Sequence, residues 1–254
     1  MPGDIEIEVP KKIEEVPIGV KVAKEFDKVS WQPKTELGRK VKNGEITNID
    51  QILDRGLKIL EPEIVDCLIP NLESDLIMVG QSKGKFGGGK RSIWRQTQKK
   101  TAEGNKPSFS SLVVIGNKNG YVGMGIGKAR ETMPAREKAL KKAKLNIIKI
   151  RRGCGSWECG CATPHTIPLK IEARCGSVRI KLIPAPKGAN LSAEKEVSKL
   201  LTLAGIKDIY SKGSGQTRTK LNFITACFNA LKKLSGMKIK QEYYKKAGVT
   251  EGSS

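Results

Sequence analysis

Residues 109–127, FSSLVVIGNKNGYVGMGIG, carry the clearest structural pattern of the chain. Phe109–Gly116 is an apolar run rich in β-branched residues, which is typical of a buried strand. Asn119-Gly120 is a pair that favours tight hairpin turns, so we expect Tyr121–Gly127 to return as an antiparallel strand. The sequence therefore predicts a β-hairpin at the centre of the chain.

A helix from about Glu131 to Ile147 is predicted after this hairpin. Thr132 stands at a capping position and Pro134 in the first turn, where both residue types are favoured. The apolar positions recur at spacings of three and four, and they are Ala135, Ala139, Leu140, Ala143 and Ile147. Because most of these side chains are small, we expect the helix to lie close to the sheet.

Further elements flank this unit on both sides. Short helices are predicted near 35–41, 47–56 and 61–69. The later part of the chain shows a β-β-α-β-α order, with strands Thr166–Arg174 and Ser177–Ile183, helix Ala193–Leu203, strand Ile206–Tyr210 and helix Thr217–Leu234. We predict an α+β fold made of an N-terminal extension with short helices (1–75), a first domain (76–150), a connector (151–165), a C-terminal two-layer α/β domain (166–234) and a polar tail (235–254).

The charge of the chain indicates a polyanionic partner. Its 254 residues carry 47 Lys and Arg against 26 Asp and Glu, a formal net charge of +21. Such a charge opposes compaction unless an anion is nearby. A membrane is disfavoured, since no apolar run approaches the roughly 18 residues of a spanning helix and no signal peptide opens the chain. We therefore expect nucleic acid as the partner, and a cytoplasmic, reducing compartment.

A basic, glycine-rich loop is predicted at 80–107. Its cations face one acid, Glu103, and the candidates for RNA contact among them are Lys83, Lys85, Lys90, Arg91, Arg95, Lys99 and Lys100. Phe86 and Trp94 add surfaces on which bases could stack. The alternative is a solvated linker. A nucleotide-binding P-loop at Gly84–Lys90 is disfavoured, because the next residue is arginine where the motif needs Ser or Thr.

A second glycine motif, Gly123-x-Gly125-x-Gly127-Lys128-Ala129-Arg130, lies between the predicted strand and helix. One interpretation is close backbone packing. The other is contact with RNA phosphates through Lys128, Arg130 and exposed glycine backbone. Other basic candidates lie in the hairpin turn, on the polar side of the helix and in the connector, and they are Lys118, Lys141, Lys142, Arg151 and Arg152.

Four cysteines and one histidine are concentrated in or near the connector. Cys154, Cys159, Cys161 and His165 are candidate ligands of one structural zinc, with Cys175 as an alternative ligand. The other interpretation is a set of reduced thiols in a packed connector, and both stay open. Cys67 and Cys227 lie in apolar patterns and are expected in the core.

No catalytic residue is predicted, because no acid beside the cysteines is placed to activate water and the deaminase signature is absent. A structural RNA-binding protein is therefore the expected class. Two alternatives are a freestanding RNA-binding module in RNA processing and a zinc-dependent nucleic-acid enzyme.

Several segments in this order resemble the universal fifth protein of the small ribosomal subunit, called S-five in bacteria and S-two in eukaryotes. They are 108–150, Arg151-Arg152-Gly153, Pro164–Pro168, Cys175–Arg179 and Leu182–Gly188, within a resemblance from about Trp31 to Leu234. Gly153–Cys161 and the helical region before Asn71 are similar to the archaeal form.

This resemblance implies a first domain similar to a double-stranded-RNA-binding fold. It implies binding to small-subunit rRNA near the decoding region, and neighbours that include the fourth and eighth proteins of that subunit. A basic hairpin, here about Lys83–Ser108, would reach toward messenger RNA at the entry channel and affect decoding accuracy. That hairpin is longer and richer in glycine here than the family pattern.

Overall fold

Three short helices begin the part of the chain that the computed structural model describes, residues 31–82 and 91–252. They are α1 (Glu36–Lys42), α2 (Asp50–Asp54) and α3 (Pro62–Leu68). The Thr35 hydroxyl caps α1 by accepting a hydrogen bond from the Gly38 amide at 3.1 Å. Pro62 occupies the first turn of α3, where its missing N–H has no intrahelical acceptor to lose. All three helices lie where the sequence predicts them.

A five-stranded antiparallel sheet follows, with one long helix. Its elements are β1 (Glu73–Ile77), β2 (Arg95–Thr101), β3 (Gly104–Gly116), β4 (Tyr121–Ala129), α4 (Thr132–Leu145) and β5 (Ile147–Lys149). The order is β1-β3-β4-β5, with β2 paired to the first part of β3. The predicted hairpin and helix are confirmed, although Ile147 begins a strand and does not end the helix.

The second part of β3, from Ser111 to Gly116, is buried on both faces, which explains its unbroken apolar run. Leu112 and Val114 pack into a core shared with the C-terminal half of the chain. Val113 and Ile115 pack into a second core, shared with α4 and the N-terminal helices. One strand therefore joins the two cores.

Helix α4 lies against β4 with almost no space between them. The buried residues of α4 are Ala135, Ala139 and Ala143, as predicted. A Cβ added at Gly125 would lie 2.2 Å from the Ala139 carbonyl oxygen, and one at Gly127 would lie 2.0 Å from that of Ala135. The glycines of β4 and the alanines of α4 therefore form the two surfaces of one close contact between strand and helix.

The C-terminal half forms a second sheet with two helices on one face. After β6 (Arg151–Arg152) its elements are β7 (Ile171–Cys175), β8 (Val178–Pro184), β9 (Leu191–Ser192), α5 (Lys195–Leu203), β10 (Ile209–Ser214) and α6 (Lys220–Ser235). The strand order is β7-β8-β10-β9. The α+β class and the β-β-α-β-α order are confirmed, with the two-residue β9 added between β8 and α5.

The segment predicted as a polar tail contains regular structure. Helix α7 (Gln241–Lys246) is followed by β11 (Thr250–Glu251), which pairs antiparallel with β6. The sequence gives no signal for this pairing, because the partners lie about a hundred residues apart and are polar. We call residues 237–252 the C-terminal arm. Among the helices of the described ranges, none has the length and apolarity that crossing a bilayer requires.

Candidate nucleic-acid interface and metal centre

A two-stranded ribbon extends the first sheet into solvent. Strand β2 pairs with β3 from Arg95 opposite Ser110 to Thr101 opposite Gly104. Strand β4 pairs with β3 only from Phe109 onward, so the outer part of the ribbon has no other neighbour in the sheet. Every β2 residue except Thr101 is exposed. The predicted loop at 80–107 is therefore partly a hairpin, as the family resemblance implied.

Cations share one face of this ribbon. Antiparallel partners point to the same face, so the registers Arg95–Ser110–Lys128 and Lys99–Lys106 place four basic side chains on one side. That side is opposite α4, because the Ser111 hydroxyl on the next position donates to the Ala135 carbonyl at 3.1 Å. We call Arg95, Lys99, Lys106 and Lys128 the ribbon face. Glu103 forms an ion pair with Lys106 at 2.7 Å and is the one acid in the ribbon.

A groove lies at the base of the ribbon. It has a volume of about 590 Å³, and Arg91, Trp94, Arg95 and Phe109 are among the residues that line it. Trp94 and Phe109 are half-buried. The groove therefore combines aromatic surface with cations, as single-stranded RNA sites do.

The other residues predicted to contact RNA fall into three groups: outside the described residues, exposed, or occupied by contacts within the chain. Lys83, Lys85 and Lys90, with Phe86 and the P-loop-like glycines, lie outside the described residues. Exposed positions are occupied by Lys100, Lys118, Arg130, Lys141 and Lys142. Lys118 nevertheless has a carboxylate partner, since its Nζ lies 2.5 Å from Glu73 Oε1.

The side chains of Arg151 and Arg152 hold the C-terminal arm; the prediction for the buried Arg152 is corrected, and an RNA contact by the half-buried Arg151 stays a prediction. Arg151 Nε donates to Glu251 Oε1 at 2.6 Å, and its guanidinium also donates to the Met237 carbonyl. Arg152 is buried, and its Nη2 donates to the Gly252 carbonyl at 3.1 Å. An accessible phosphate contact by Arg152 is excluded in this conformation.

The glycine motif on β4 is a second correction. Gly123, Gly125 and Gly127 are buried beneath α4, so exposed glycine backbone does not meet phosphate there. The alternative of close backbone packing is right. Lys128 and Arg130, at the end of the motif, remain exposed.

The predicted metal ligands converge. One ligand atom from each of Cys154, Cys159, Cys161 and His165 lies within 4.8 Å of all the others. Cys159 Sγ and His165 Nε2 are 3.9 Å apart. Cys175 lies at the end of β7, packs against the C-terminal core and is not in the group, so the alternative ligand is wrong.

The four candidate ligands differ in their exposure and acidity. Hydrogen bonds from the Thr163 hydroxyl and amide lower the pKa of the half-buried Cys161 thiol to about 6. Burial and the neighbouring thiols raise the pKa of Cys154 to about 11. In α6, burial alone raises the pKa of Cys227 to about 12, in line with its predicted core position.

An aspartate that sequence reasoning missed orients the histidine. Asp208 Oδ2 lies 2.8 Å from His165 Nδ1, and both side chains are buried. Asp208 Oδ1 accepts hydrogen bonds from the amides of Gly188 at 3.1 Å and Asn190 at 2.8 Å. A carboxylate at Nδ1 favours the tautomer whose Nε2 is bare, and Nε2 is the atom that faces Cys159.

Three thiols and one imidazole are a donor set of structural zinc sites, in which four protein ligands leave no open position. The convergence and the oriented imidazole both fit such an ion. These residues could hold one zinc, which would stabilise the fold of the connector and would have no catalytic role.

Comparisons with known proteins agree with the resemblance. The family model "Ribosomal protein S5, N-terminal domain" matches residues 93–151, and "Ribosomal protein S5, C-terminal domain" matches 173–243. A small ribosomal subunit protein uS5 from Nanoarchaeum equitans is 52% identical over 88% of this chain and 96% of its own length. The protein of the same name from Methanocaldococcus jannaschii is 48% identical over 89% of this chain and 98% of its own. The chain belongs to the ribosomal protein S5 family.

Proposed function

We propose that this chain is a structural constituent of the small ribosomal subunit that binds rRNA through the ribbon face. The ribbon itself carries the proposal. The part of the ribbon that projects from the sheet, β2 and the first residues of β3, contributes nothing to an apolar core. A two-stranded hairpin of this kind is only marginally stable alone in water. Four cations on one side suit a phosphate backbone. The relatives' shared name, small ribosomal subunit protein, points to the ribosome as the place of this contact.

The proposal has a finer part, which rests on the family resemblance. The ribbon lies near the decoding region and the messenger entry channel, contacts rRNA and messenger RNA there, and supports subunit assembly and decoding accuracy. The neighbours include the fourth and eighth proteins of the subunit, and the chain works in the cytoplasm, within the ribosome. It performs no chemistry of its own.

We also propose one structural zinc bound by Cys154, Cys159, Cys161 and His165. The ion would fix the connector between the two sheets, since the Cys154 amide donates to the Ala247 carbonyl at 2.7 Å and Gly153 bridges to Thr166. These hydrogen bonds tie the connector to the C-terminal arm and to Thr166, the residue that follows His165. Elemental analysis of the purified chain under reducing conditions is expected to give about one zinc per chain; finding no metal would leave reduced thiols as the answer.

The salt dependence of RNA binding tests the main proposal. The ribbon variant is Arg95→Gln/Lys99→Gln/Lys128→Gln. The control variant, Lys195→Gln/Lys232→Gln/Lys238→Gln, removes the same charge from exposed positions elsewhere. Each lost phosphate contact lowers the slope of log affinity against log salt by about 0.7–0.9, so the ribbon variant should lose roughly 2–3 units of slope. The control should stay close to the parent.

The assay is fluorescence anisotropy of a labelled duplex, between about 50 and 200 mM KCl. Equal slopes for the ribbon and control variants would contradict the proposal. Sedimentation with small subunits through a gradient distinguishes a ribosomal constituent from a freestanding RNA-binding module, which should stay at the top.

A further inference from the structure

The second sheet has one face covered by helices and one face open. Inward residues such as Ile171, Ile180 and Leu182 are buried, and α6 packs against β7 and β8 on that side. Outward residues alternate with them along each strand. We call the outward set the open face, and its members with large side chains are Glu172, Arg174, Arg179, Lys181, Ile183, Tyr210 and Lys212.

Like charges stand directly opposite each other on this face. The register pairs Arg174 with Arg179 across β7 and β8, and Lys181 with Lys212 across β8 and β10. Cβ atoms of such partners are about 5 Å apart, and two like charges there destabilise a sheet. Only Lys181 has a carboxylate within ion-pair distance among the described residues, Glu172 at 3.2 Å. The other three cations are exposed. The face thus carries four cations and one acid, and among the described residues Arg174, Arg179 and Lys212 have no carboxylate within ion-pair distance.

From this arrangement we propose that the open face is a second RNA surface, which binds phosphates through Arg174, Arg179 and Lys212. Tyr210 lies beside them, is 40% exposed, and offers a ring on which an unpaired base stacks. Phosphates on this face remove the repulsion between the paired cations. The inference rests on the proposed RNA binding and adds a surface on the other sheet.

The composition of the face favours RNA over a protein partner. A protein interface needs an apolar centre that is depleted of charge. The centre of the open face is Lys181 and Lys212, and its apolar residues are Tyr210 and the half-buried Ile183. A sheet with cations and an exposed aromatic ring is instead the chemistry with which β-sheet modules bind RNA.

A charge-matched set of variants of the full chain tests the inference. The sheet variant is Arg174→Gln/Arg179→Gln/Lys212→Gln, which removes at least one cation from each like-charged pair and keeps the Lys181–Glu172 pair. It is compared with the parent, the ribbon variant and the control variant defined above. The probes are a labelled single strand of about 20 nucleotides and a duplex of about 20 base pairs, each titrated across the same KCl range.

The sheet variant is expected to lose roughly 2–3 units of salt slope on at least one probe, and the control variant almost none. A loss confined to the single strand, which Tyr210→Ala then increases, assigns the face to unpaired RNA; a loss confined to the duplex assigns it to helical backbone. The sheet variant relieves repulsion but loses the exposed hydrogen bond from Arg174 Nε to the Gly176 carbonyl, so its thermal midpoint should stay close to that of the parent. A thermal melt of each variant therefore shows that weaker binding does not come from misfolding.

Other outcomes overturn the inference. If the sheet and control variants bind both probes equally while the ribbon variant binds weakly, the open face is not an RNA surface and the proposed function stands. If the parent itself binds neither probe, the proposed function fails. If the sheet variant binds both probes normally but no longer sediments with small subunits, the face contacts a protein, and the RNA assignment is wrong.

Discussion

Replacing Asp208 by asparagine is expected to weaken metal binding while leaving the fold in place. The side-chain amide oxygen of the Asp208→Asn variant can still accept hydrogen bonds from the Gly188 and Asn190 amides, which Asp208 Oδ1 accepts now at 3.1 and 2.8 Å. The other end of the new side chain is an N–H donor facing His165 Nδ1, where a carboxylate oxygen now lies at 2.8 Å.

That change acts on the metal through the histidine tautomer. A donor at Nδ1 favours the imidazole that carries its proton on Nε2, and a protonated Nε2 cannot bind a metal. Loss of an outer partner of this kind costs about 10–100-fold in metal affinity, which corresponds to roughly 1.4–2.8 kcal/mol. Alanine at the same position should also lower the free energy of unfolding, because the amides of Gly188 and Asn190 lose this acceptor.

Competition with a chromophoric chelator measures the zinc affinity, and the absorption spectrum of the cobalt-loaded chain reports the ligand set. The matched control is Asp54→Asn, which removes an acid that is 64% exposed and lies 3.5 Å from Lys149. A folded Asp208→Asn chain with the zinc affinity and cobalt spectrum of the parent would show that the carboxylate does not control the tautomer. Weaker binding by the control as well would show that net charge, and not the tautomer, is responsible.

Three other changes have expected outcomes. Gly125→Ala should lower the free energy of unfolding by about 1–3 kcal/mol or more, because its Cβ meets the α4 backbone; Gly236→Ala, whose Cβ has only an ordinary contact at 3.7 Å, is the control, and equal thermal midpoints would contradict close packing at Gly125. Cys159→Ser should abolish zinc binding and Cys175→Ser should keep it, as measured by elemental analysis; the same zinc content in both would place the site elsewhere. Arg152→Met should release the C-terminal arm, so that limited proteolysis cuts within 237–252 sooner than in the parent, and an unchanged cleavage rate would show that the buried guanidinium does not hold the arm.

The first sheet and its helix could be predicted because their signals are local. The apolar run of β3, the Asn119-Gly120 turn and the alanine spacing of α4 each act within a few residues. The glycine motif on β4 was ambiguous for the same reason: alternate glycines suit both a phosphate loop and a tight helix contact. Only the placement of α4 decides between them, and that placement is a tertiary contact.

The ligands of the candidate metal site could be predicted because they lie close together in sequence, but the residue that orients His165 could not. Cys154 to His165 span twelve consecutive positions, whereas Asp208 reaches His165 from 43 residues away. For the arginines of the connector, sequence reasoning predicted contacts with RNA and missed their contacts within the chain. Arg151 and Arg152 are basic residues in a basic chain, and their partners in the arm are set by a long-range strand pairing that composition does not reveal.

The ribbon face could be defined only from the register of the strands. Sequence alone selected Arg95, Lys99 and Lys128 one by one, and the pairing of β2, β3 and β4 puts them on one side of the sheet. The open face of the second sheet was missed because its cations alternate with buried residues along separate strands.

Residue-resolved crosslinking to RNA inside the assembled small subunit would show whether the ribbon face meets RNA. We expect crosslinks from the ribbon face to rRNA, with Lys99 and Lys128 among the crosslinked residues, and none from the buried Arg152. Crosslinks concentrated on other surfaces, with the ribbon face free of RNA, would contradict the proposed function.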